Sequence, residues 1–207
     1  MSVASAKKRG ASPLAVESPG LVEIRWHARG GQGAVTAAKT VAELALGQGK
    51  HFQAFPEYGP ERSGAPIVAF TRLSDEPIQL YSGVEHPQIV VVLDESLLKA
   101  VDITKGAPEN AVVLVNSELT PPELRLRYGL KGHRLYTIPA TRIATETIKR
   151  PIPNTPMLGA LARITGLFTL ESVIEFLRYE FGKKFPAKVV EGNIAALTRS
   201  YEEVRGE

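Results

Sequence analysis

A glycine-rich turn between a predicted strand and a predicted helix is the feature that most constrains the fold of this chain. Its sequence is Ala28-Arg29-Gly30-Gly31-Gln32-Gly33-Ala34-Val35. Residues 21–27 before it alternate apolar and polar side chains, as in a half-buried strand, and residues 34–46 after it place apolar side chains at helical spacing. Closely spaced glycines let the backbone bend tightly and approach a ligand, and the amides at a helix N-terminus favour an anion. The turn therefore indicates the strand–turn–helix unit of an α/β protein.

Two common phosphate-binding motifs do not fit this turn. A Walker A loop requires a lysine directly after the last glycine, whereas the first lysine after Gly33 is Lys39. The dinucleotide fingerprint requires a third glycine where Thr36 stands and an acidic residue after the second strand, which the predicted strand at residues 50–55 lacks. Two interpretations remain open from these residues: anion binding and tight packing.

The composition favours one soluble α/β domain. The chain has 207 residues, of which 43% are hydrophobic, and its formal net charge of +3 is too small and too scattered to indicate nucleic-acid binding. It contains no cysteine, which excludes disulfides and thiolate-ligated iron–sulfur clusters. No apolar run approaches the length of a membrane span, and no apolar segment follows the basic residues near the N-terminus, so we expect a cytoplasmic protein.

Alternating strand and helix patterns predict a mainly parallel sheet flanked by helices, a Rossmann-like module with a helical C-terminal part. Residues 1–20 are predicted to be a disordered basic tail, and residues 21–207 the folded domain. Residues 94–96 are expected to cap a short helix, and Thr155 is expected to be an N-cap followed by Pro156 in the first helical position.

A second segment, Tyr58-Gly59-Pro60-Glu61-Arg62-Ser63-Gly64-Ala65, follows the second predicted strand. Further along come Val90-Val91-Val92-Leu93-Asp94, Asn154-Thr155-Pro156-Met157-Leu158-Gly159-Ala160, and a late helix with Glu191, Asn193 and Ala196. Together with the glycine turn, this ordered set resembles the gamma subunits of pyruvate:ferredoxin oxidoreductases and, more broadly, the gamma module of the 2-oxoacid:ferredoxin oxidoreductases. The resemblance extends from about Leu21 to about Tyr201.

The resemblance implies a subunit of a multisubunit enzyme that converts a 2-oxoacid and coenzyme A to acyl-CoA and CO2 while reducing ferredoxin, or that runs in reverse. In this family thiamine diphosphate is held by alpha and beta subunits, and [4Fe–4S] clusters lie on partner subunits, including a ferredoxin-like delta subunit. The gamma module packs in the assembly and is associated with coenzyme A. We expect no catalytic residue and no metal ligand in this chain, and no activity from it alone.

The candidate binding residues come from the two loop motifs. They are Arg29, Gly30, Gly31, Gln32, Gly33, Tyr58, Glu61 and Arg62. Arg29 and Arg62 are the candidates for contacts with the phosphates of coenzyme A, which glycine-loop amides also suit. The alternative is that the glycine turn contacts the backbone of another subunit. For His27, a ligand contact and a local hydrogen bond at the end of the strand are both open.

Other functions remain as alternatives. One is an indolepyruvate oxidoreductase module, which resembles this chain in its glycine loop, and another is a 2-oxoglutarate oxidoreductase module. A stand-alone nucleotide-binding or regulatory α/β domain is disfavoured by the missing acidic residue and the missing phosphate-loop lysine. We favour pyruvate on overall similarity, and we expect the residues that recognise the 2-oxoacid to lie on other subunits.

Overall fold

The structure, a computed structural model, describes residues 20–57 and 64–207. The predicted tail therefore lies outside the described residues except for Gly20. The described strands and helices follow in chain order: β1 Leu21–Arg29, α1 Ala34–Gly47, β2 His51–Glu57, β3 Pro66–Ser74, β4 Ile89–Val92, α2 Leu97–Ala100, β5 Val112–Asn116, α3 Pro121–Tyr128, β6 Arg134–Ile138, α4 Ala140–Thr147, α5 Asn154–Thr165, α6 Leu170–Gly182, α7 Ala187–Glu203 and β7 Arg205–Gly206.

The strands form one sheet in the order β2-β3-β1-β4-β5-β6-β7. The four central strands, β1, β4, β5 and β6, are parallel, which confirms the predicted α/β class with a parallel core. The strands outside them pair antiparallel: β3 with β1, β2 with β3, and β7 with β6. Parallel neighbours need a crossover of a dozen or more residues. The short connection between β2 and β3 therefore forces these two strands into an antiparallel pair.

The two faces of the sheet carry separate apolar cores. On β1, Ile24, Trp26 and Ala28 belong to the larger core, which α1, α5 and α7 cover. The smaller core on the opposite face includes residues of α2 and α3. Side chains alternate between faces along a strand, so Arg25 and His27 lie on the same side of the sheet as the smaller core. Both are nevertheless buried.

Helices α5 and α7 pack closely, and Thr155 takes part in their contact. Thr155 is not the N-cap of α5, because the helix begins at Asn154 and Pro153 is its cap. The Thr155 hydroxyl instead donates to Asn193 Oδ1 of α7 at 2.8 Å in the interior. Pro156 still lies in the first turn, where its missing N–H leaves no hydrogen bond unmade. Thr155 is therefore a residue of the α5–α7 contact and not the cap of α5.

Helix α3 was not part of the sequence prediction, although its start has a readable signal. The Thr120 backbone N–H donates to Glu123 Oε2 at 2.7 Å, and the helix has a capping box with proline in its first turn. Residues 94–96 do precede a short helix, but Ser96 makes no side-chain cap to it. Among all helices in the described ranges, none is long and apolar enough to cross a membrane.

Candidate functional site

The glycine turn lies at the carboxyl edge of the parallel strands, where β1 and β4 run side by side. The helix that follows β1 covers one face of the sheet, and the short helix that follows β4 belongs to the other face. In open α/β sheets, ligands bind at such a point, in the crevice beyond the carboxyl ends of the two strands. The fold therefore places the turn where a ligand site is expected.

The turn needs glycine at two positions because its backbone is left-handed there. Gly31 has a φ of 93° and Gly33 a φ of 83°. Gln32, between them, closes the turn: its side-chain oxygen accepts the Arg29 backbone N–H at 2.8 Å. Gly33 is the N-cap of α1. Because glycine has no side chain to accept a hydrogen bond, it does not cap the first backbone N–H groups of this helix.

The N-terminus of α5 meets the N-terminus of α1 at Gly33. A Cβ built on Gly33 would lie 2.9 Å from Nδ2 of Asn154, the first residue of α5. Each helix carries a partial positive charge at this end, and the two charges add where the termini meet. Asn154 is therefore a site residue that the loop motifs did not indicate, although it begins a segment on which the family resemblance rests.

A hydrogen-bonded carboxylate closes the other side of the turn. Gln32 Nε2 donates to Asp94 Oδ2 at 2.7 Å, and the Ser96 backbone and hydroxyl both donate to Asp94 Oδ1. Burial raises the pKa of Asp94, but the hydrogen bonds from Ser96 and Gln32, with the charge of Arg29, outweigh it and leave the pKa below its ordinary value. Asp94 is thus ionised and ties the turn to the end of β4.

The Arg29 guanidinium is engaged within this network. It donates to the Gly64 carbonyl oxygen at 2.9 Å and to Ser96 Oγ at 3.0 and 3.1 Å, and its Nε lies 3.6 Å from Asp94 Oδ2. These contacts use three of the five N–H groups of an arginine. One third of the side chain stays exposed, so Arg29 both fixes the turn and faces the solvent.

A second carboxylate lies beside the first at the end of β4. Glu95 accepts hydrogen bonds from Ser117 Oγ at 2.5 Å and from the Tyr128 hydroxyl at 2.7 Å. Burial and this hydrogen bond raise the pKa of Tyr128. Polar residues directly after the buried strands β4 and β5 are the sequence signal for this cluster, and the two loop motifs do not include them.

His27 lies inside the protein and not at the edge of the site. It is followed by two further residues of β1, is 6% exposed, and its Nε2 is buried without a hydrogen-bond partner. Burial, and then the charge of Arg25, lower the pKa of His27 to about 4. A buried neutral imidazole at this depth does not support the ligand-contact interpretation.

The structure brings together Arg29, Gly30, Gly31, Gln32 and Gly33, with Asp94, Ser96 and Asn154 beside them. The other predicted residues, Tyr58, Glu61 and Arg62, lie outside the described residues. Within the described ranges, no three His, Asp or Glu side chains are grouped as they would be to hold a metal ion. A cavity of about 320 Å³ lies elsewhere, near the amino ends of β5 and β6, and is lined in part by Asp102, Lys131 and His133.

We expect the two left-handed glycines to differ in their tolerance of a side chain. Gly31→Ala meets no atom within 4 Å and should lower the free energy of unfolding by only about 1 kcal/mol, from the backbone conformation alone. Gly33→Ala should cost about 1 kcal/mol more, because its Cβ meets Asn154. Urea unfolding measures both, with Gly47→Ala as control, since no atom lies within 4 Å there and its φ is not left-handed. Equal losses for the two variants would contradict the close contact with Asn154.

Comparison with known proteins gives the family. A sequence model of the pyruvate ferredoxin/flavodoxin oxidoreductases matches residues 23–203. The chain belongs to this family. It is 50% identical over 183 residues to the pyruvate synthase subunit PorC of Thermotoga maritima, covering 88% of this chain and 94% of the relative. It is 44% identical over 185 residues to the common subunit gamma of the pyruvate/ketoisovalerate oxidoreductases of Pyrococcus abyssi, covering 89% of this chain and 98% of the relative.

A solved structure of this family shares the fold. The crystal structure of the pyruvate oxidoreductase subunit PORC from Thermotoga maritima superposes with a TM-score of 0.80 at 46% identity, covering 91% of this chain and 99% of that one. The family membership confirms the resemblance that the ordered motifs indicate. The glycine turn and the segment that begins at Asn154, far apart in the sequence, are thus neighbours in a fold of this family.

Proposed function

We propose that this chain is the gamma subunit of a multisubunit pyruvate synthase, a pyruvate:ferredoxin oxidoreductase. The complex converts pyruvate and coenzyme A to acetyl-CoA and CO2 and transfers the electrons to ferredoxin, or catalyses the reverse reaction. Relatives named pyruvate synthase subunit PorC, which this chain matches over almost their whole length, support the substrate. The Pyrococcus relative is a common gamma subunit of the pyruvate/ketoisovalerate oxidoreductases, so ketoisovalerate is a second candidate substrate.

The chain supplies structure and binding to this complex. It has no cysteine, so it does not fit an iron–sulfur cluster held by thiolates. Thiamine diphosphate and the [4Fe–4S] clusters belong, in this proposal, to alpha, beta and delta partner subunits. These groups supply the decarboxylation and the electron transfer, and the gamma subunit contributes binding at its own surface.

That surface is the glycine turn, and its ligand is coenzyme A. The observation that carries this assignment is the meeting of two helix N-termini at Gly33, beside a partly exposed arginine. Coenzyme A carries a pyrophosphate and a 3′-phosphate, which backbone amides and guanidinium groups bind well. Arg29 keeps two N–H groups beyond its contacts with Gly64 and Ser96. Tyr58, Glu61 and Arg62 are proposed as further residues of the same site.

A second role for the turn is contact with another subunit. Hydrogen bonds and an ion pair already link Arg29, Gln32 and Asp94 to one another. Such an arrangement suits a rigid docking surface as well as a ligand site. In that case the first amides of α1, which Gly33 does not cap, would meet carbonyl or carboxylate groups of the neighbouring subunit. The two roles predict different defects when Arg29 is removed.

We expect Arg29→Ala, in the reconstituted complex, to raise the coenzyme A requirement about ten- to a hundredfold, because a charge-assisted contact contributes about 1.5–3 kcal/mol. The pyruvate requirement should barely change, since pyruvate is decarboxylated on other subunits. Separate titrations of coenzyme A and pyruvate measure the two effects. Arg62→Ala tests the second arginine in the same assay, and Arg178→Ala, on the exposed side of α6, is the matched control.

Assembly of the complex separates the two roles. Intact assembly with a selective coenzyme A defect supports the ligand site. Loss of the gamma subunit from the complex, measured by size-exclusion chromatography, favours the subunit contact instead. If Arg29→Ala assembles and binds coenzyme A as the parent does, the glycine turn is not the coenzyme A site.

A further inference from the structure

The outer edge of β2 carries hydrogen-bonding groups that no other described strand uses. β2 is the last strand on its side of the sheet and pairs only with β3 within the described ranges. An exposed edge strand is a ready template for pairing with another chain. What such an edge accepts depends on which of its backbone groups point outward and on the side chains beside them.

The hydrogen bonds of β3 fix the direction of its backbone groups. In an antiparallel pair, residues that bond one neighbour alternate with residues that point the other way. Gly30 N donates to the Ala65 carbonyl oxygen, and Asp75 N donates to the Gly20 carbonyl oxygen, one at each end of the β1–β3 pair. Odd-numbered residues of β3 therefore bond β1, and even-numbered residues bond β2.

The register of β2 against β3 then determines its outer edge. The even-numbered residues of β3 lie opposite His51, Gln53, Phe55 and Glu57, so the backbone groups of these residues are used within the sheet. Phe52, Ala54 and Pro56 point their backbone groups outward. Proline has no N–H to donate, and an outward position on an edge strand is where the sheet tolerates it. The edge thus offers the N–H groups of Phe52 and Ala54 and three carbonyl groups.

Apolar side chains flank this edge. Leu46, Phe52, Leu80 and Tyr81 are 59%, 38%, 44% and 93% exposed. A cavity of about 330 Å³ at the start of β2 is lined by residues that include Leu46, Phe52 and Ile78. Gln53 Nε2 donates to the Leu80 carbonyl oxygen at 3.0 Å, which holds the Leu80 backbone beside the strand. Several exposed apolar side chains in one region are typical of an interaction surface.

The sequence of β2 complements itself when it is reversed about Ala54. In an antiparallel pair of two β2 strands centred there, Ala54 faces Ala54, and Phe52 faces Pro56 of the second copy. The Ala54 N–H groups donate to each other's carbonyl groups, and each Phe52 N–H donates to a Pro56 carbonyl group, so the missing N–H of proline leaves only two positions unpaired. His51 faces Glu57 of the second copy, so an imidazole that can donate a hydrogen bond lies opposite a carboxylate that can accept it.

We propose that two copies of this chain associate through their β2 strands, antiparallel about a two-fold axis at Ala54, and join their sheets into one. The partner is a second copy because the polar pair His51–Glu57, the apolar pairs and the outward hydrogen-bonding groups all match under this one symmetry operation. The contact of one short strand with its flanking apolar residues is small for a stable dimer, so the association is micromolar in strength.

The experiment measures the mass of the full chain in solution by light scattering and sedimentation, over about 1 to 100 μM, the range of a weak interface. A monomer–dimer equilibrium is expected for the parent. Ala54→Pro removes the two central hydrogen bonds of the dimer and none of the β2–β3 ladder, and should weaken association about tenfold or more. Circular dichroism establishes that this variant is folded.

Charge exchange gives an independent test. His51→Glu places like charges opposite each other at two places, against Glu57 of the second copy, and should weaken association about tenfold. The double variant His51→Glu with Glu57→Lys places opposite charges at the same two places and should restore association. Glu202→Lys, an exposed residue of α7, is the matched control and should associate as the parent does.

Three results would overturn the proposal. A parent chain that stays monomeric throughout the range excludes the dimer. A dimer that folded Ala54→Pro leaves unchanged uses another surface. If Ala54→Pro does not fold, the charge exchange decides: a double variant no stronger in association than His51→Glu alone places the contact elsewhere.

Discussion

Replacing Gly159 by alanine is expected to lower the free energy of unfolding by about 3 kcal/mol, the upper part of the range for overpacking a core. Gly159 lies in α5 against α7, and a Cβ there would come closer than 3.0 Å to the Leu197 carbonyl oxygen and to Ser200 Oγ. The carbonyl belongs to the backbone of α7, so the helices must separate. Because both belong to the larger core, the whole domain loses stability. Urea unfolding measures the loss.

Gly182→Ala is the matched control for this change. Gly182 ends α6, and a Cβ there would meet no atom within 4 Å, so alanine should be neutral or slightly stabilising through its better helix propensity. Ser200→Gly combined with Gly159→Ala should recover only part of the loss, since the Leu197 carbonyl oxygen remains. A Gly159→Ala variant as stable as the parent would show that α5 and α7 can move apart without cost.

Acidification is expected to destabilise the protein through His27 by about 3 kcal/mol between pH 7 and pH 4. The pKa of His27 is about 4 in the folded protein, against an ordinary value of 6.5. Between these values the unfolded chain binds a proton that the folded protein excludes. Stability from this group is therefore present above pH 6.5 and is lost as the pH falls towards 4. Below pH 4 both states bind the proton and the loss ends.

His27→Gln isolates this contribution because glutamine does not titrate. Between pH 7 and pH 4, urea unfolding should show the parent losing about 3 kcal/mol more stability than the variant, since only the parent has His27 to protonate on unfolding. His86→Gln makes the same substitution at an exposed position and is the matched control. Parallel curves for the parent and His27→Gln would mean that the buried imidazole does not control acid stability.

The central half of the fold could be predicted from the sequence because its signals are local. The apolar runs of β4 and β5 and the glycine turn before α1 indicate their structures without any distant contact. The position of β3 between β1 and β2 could not be read in this way, since pairing depends on partners that short-range patterns do not specify. The sequence prediction of the start of α5 is wrong because the Thr155 hydroxyl donates a hydrogen bond to Asn193 and does not cap its own helix.

The candidate site shows the same division. The glycines and Gln32 could be recognised from their spacing, and the structure gives Gly31, Gly33 and Gln32 a geometric reason. The contacts of Arg29 with Gly64 and Ser96, and the approach of Asn154 to Gly33, join segments that are distant in the chain. No local pattern carries that information. The family resemblance did include these segments, but without their arrangement in space.

The strand order has a consequence for how the chain folds as it is synthesised. β1 and α1 are made first, but Ile24 of β1 pairs with Thr71 of β3 on one side and with Ile89 of β4 on the other. The antiparallel strands β1, β3 and β2 can therefore pair while the parallel strands β5 and β6 are still unmade. The apolar face of α1 stays uncovered for longer, until α5 has been synthesised and can pack against it. Such late, non-local pairing slows folding and exposes apolar surface in the unfinished chain.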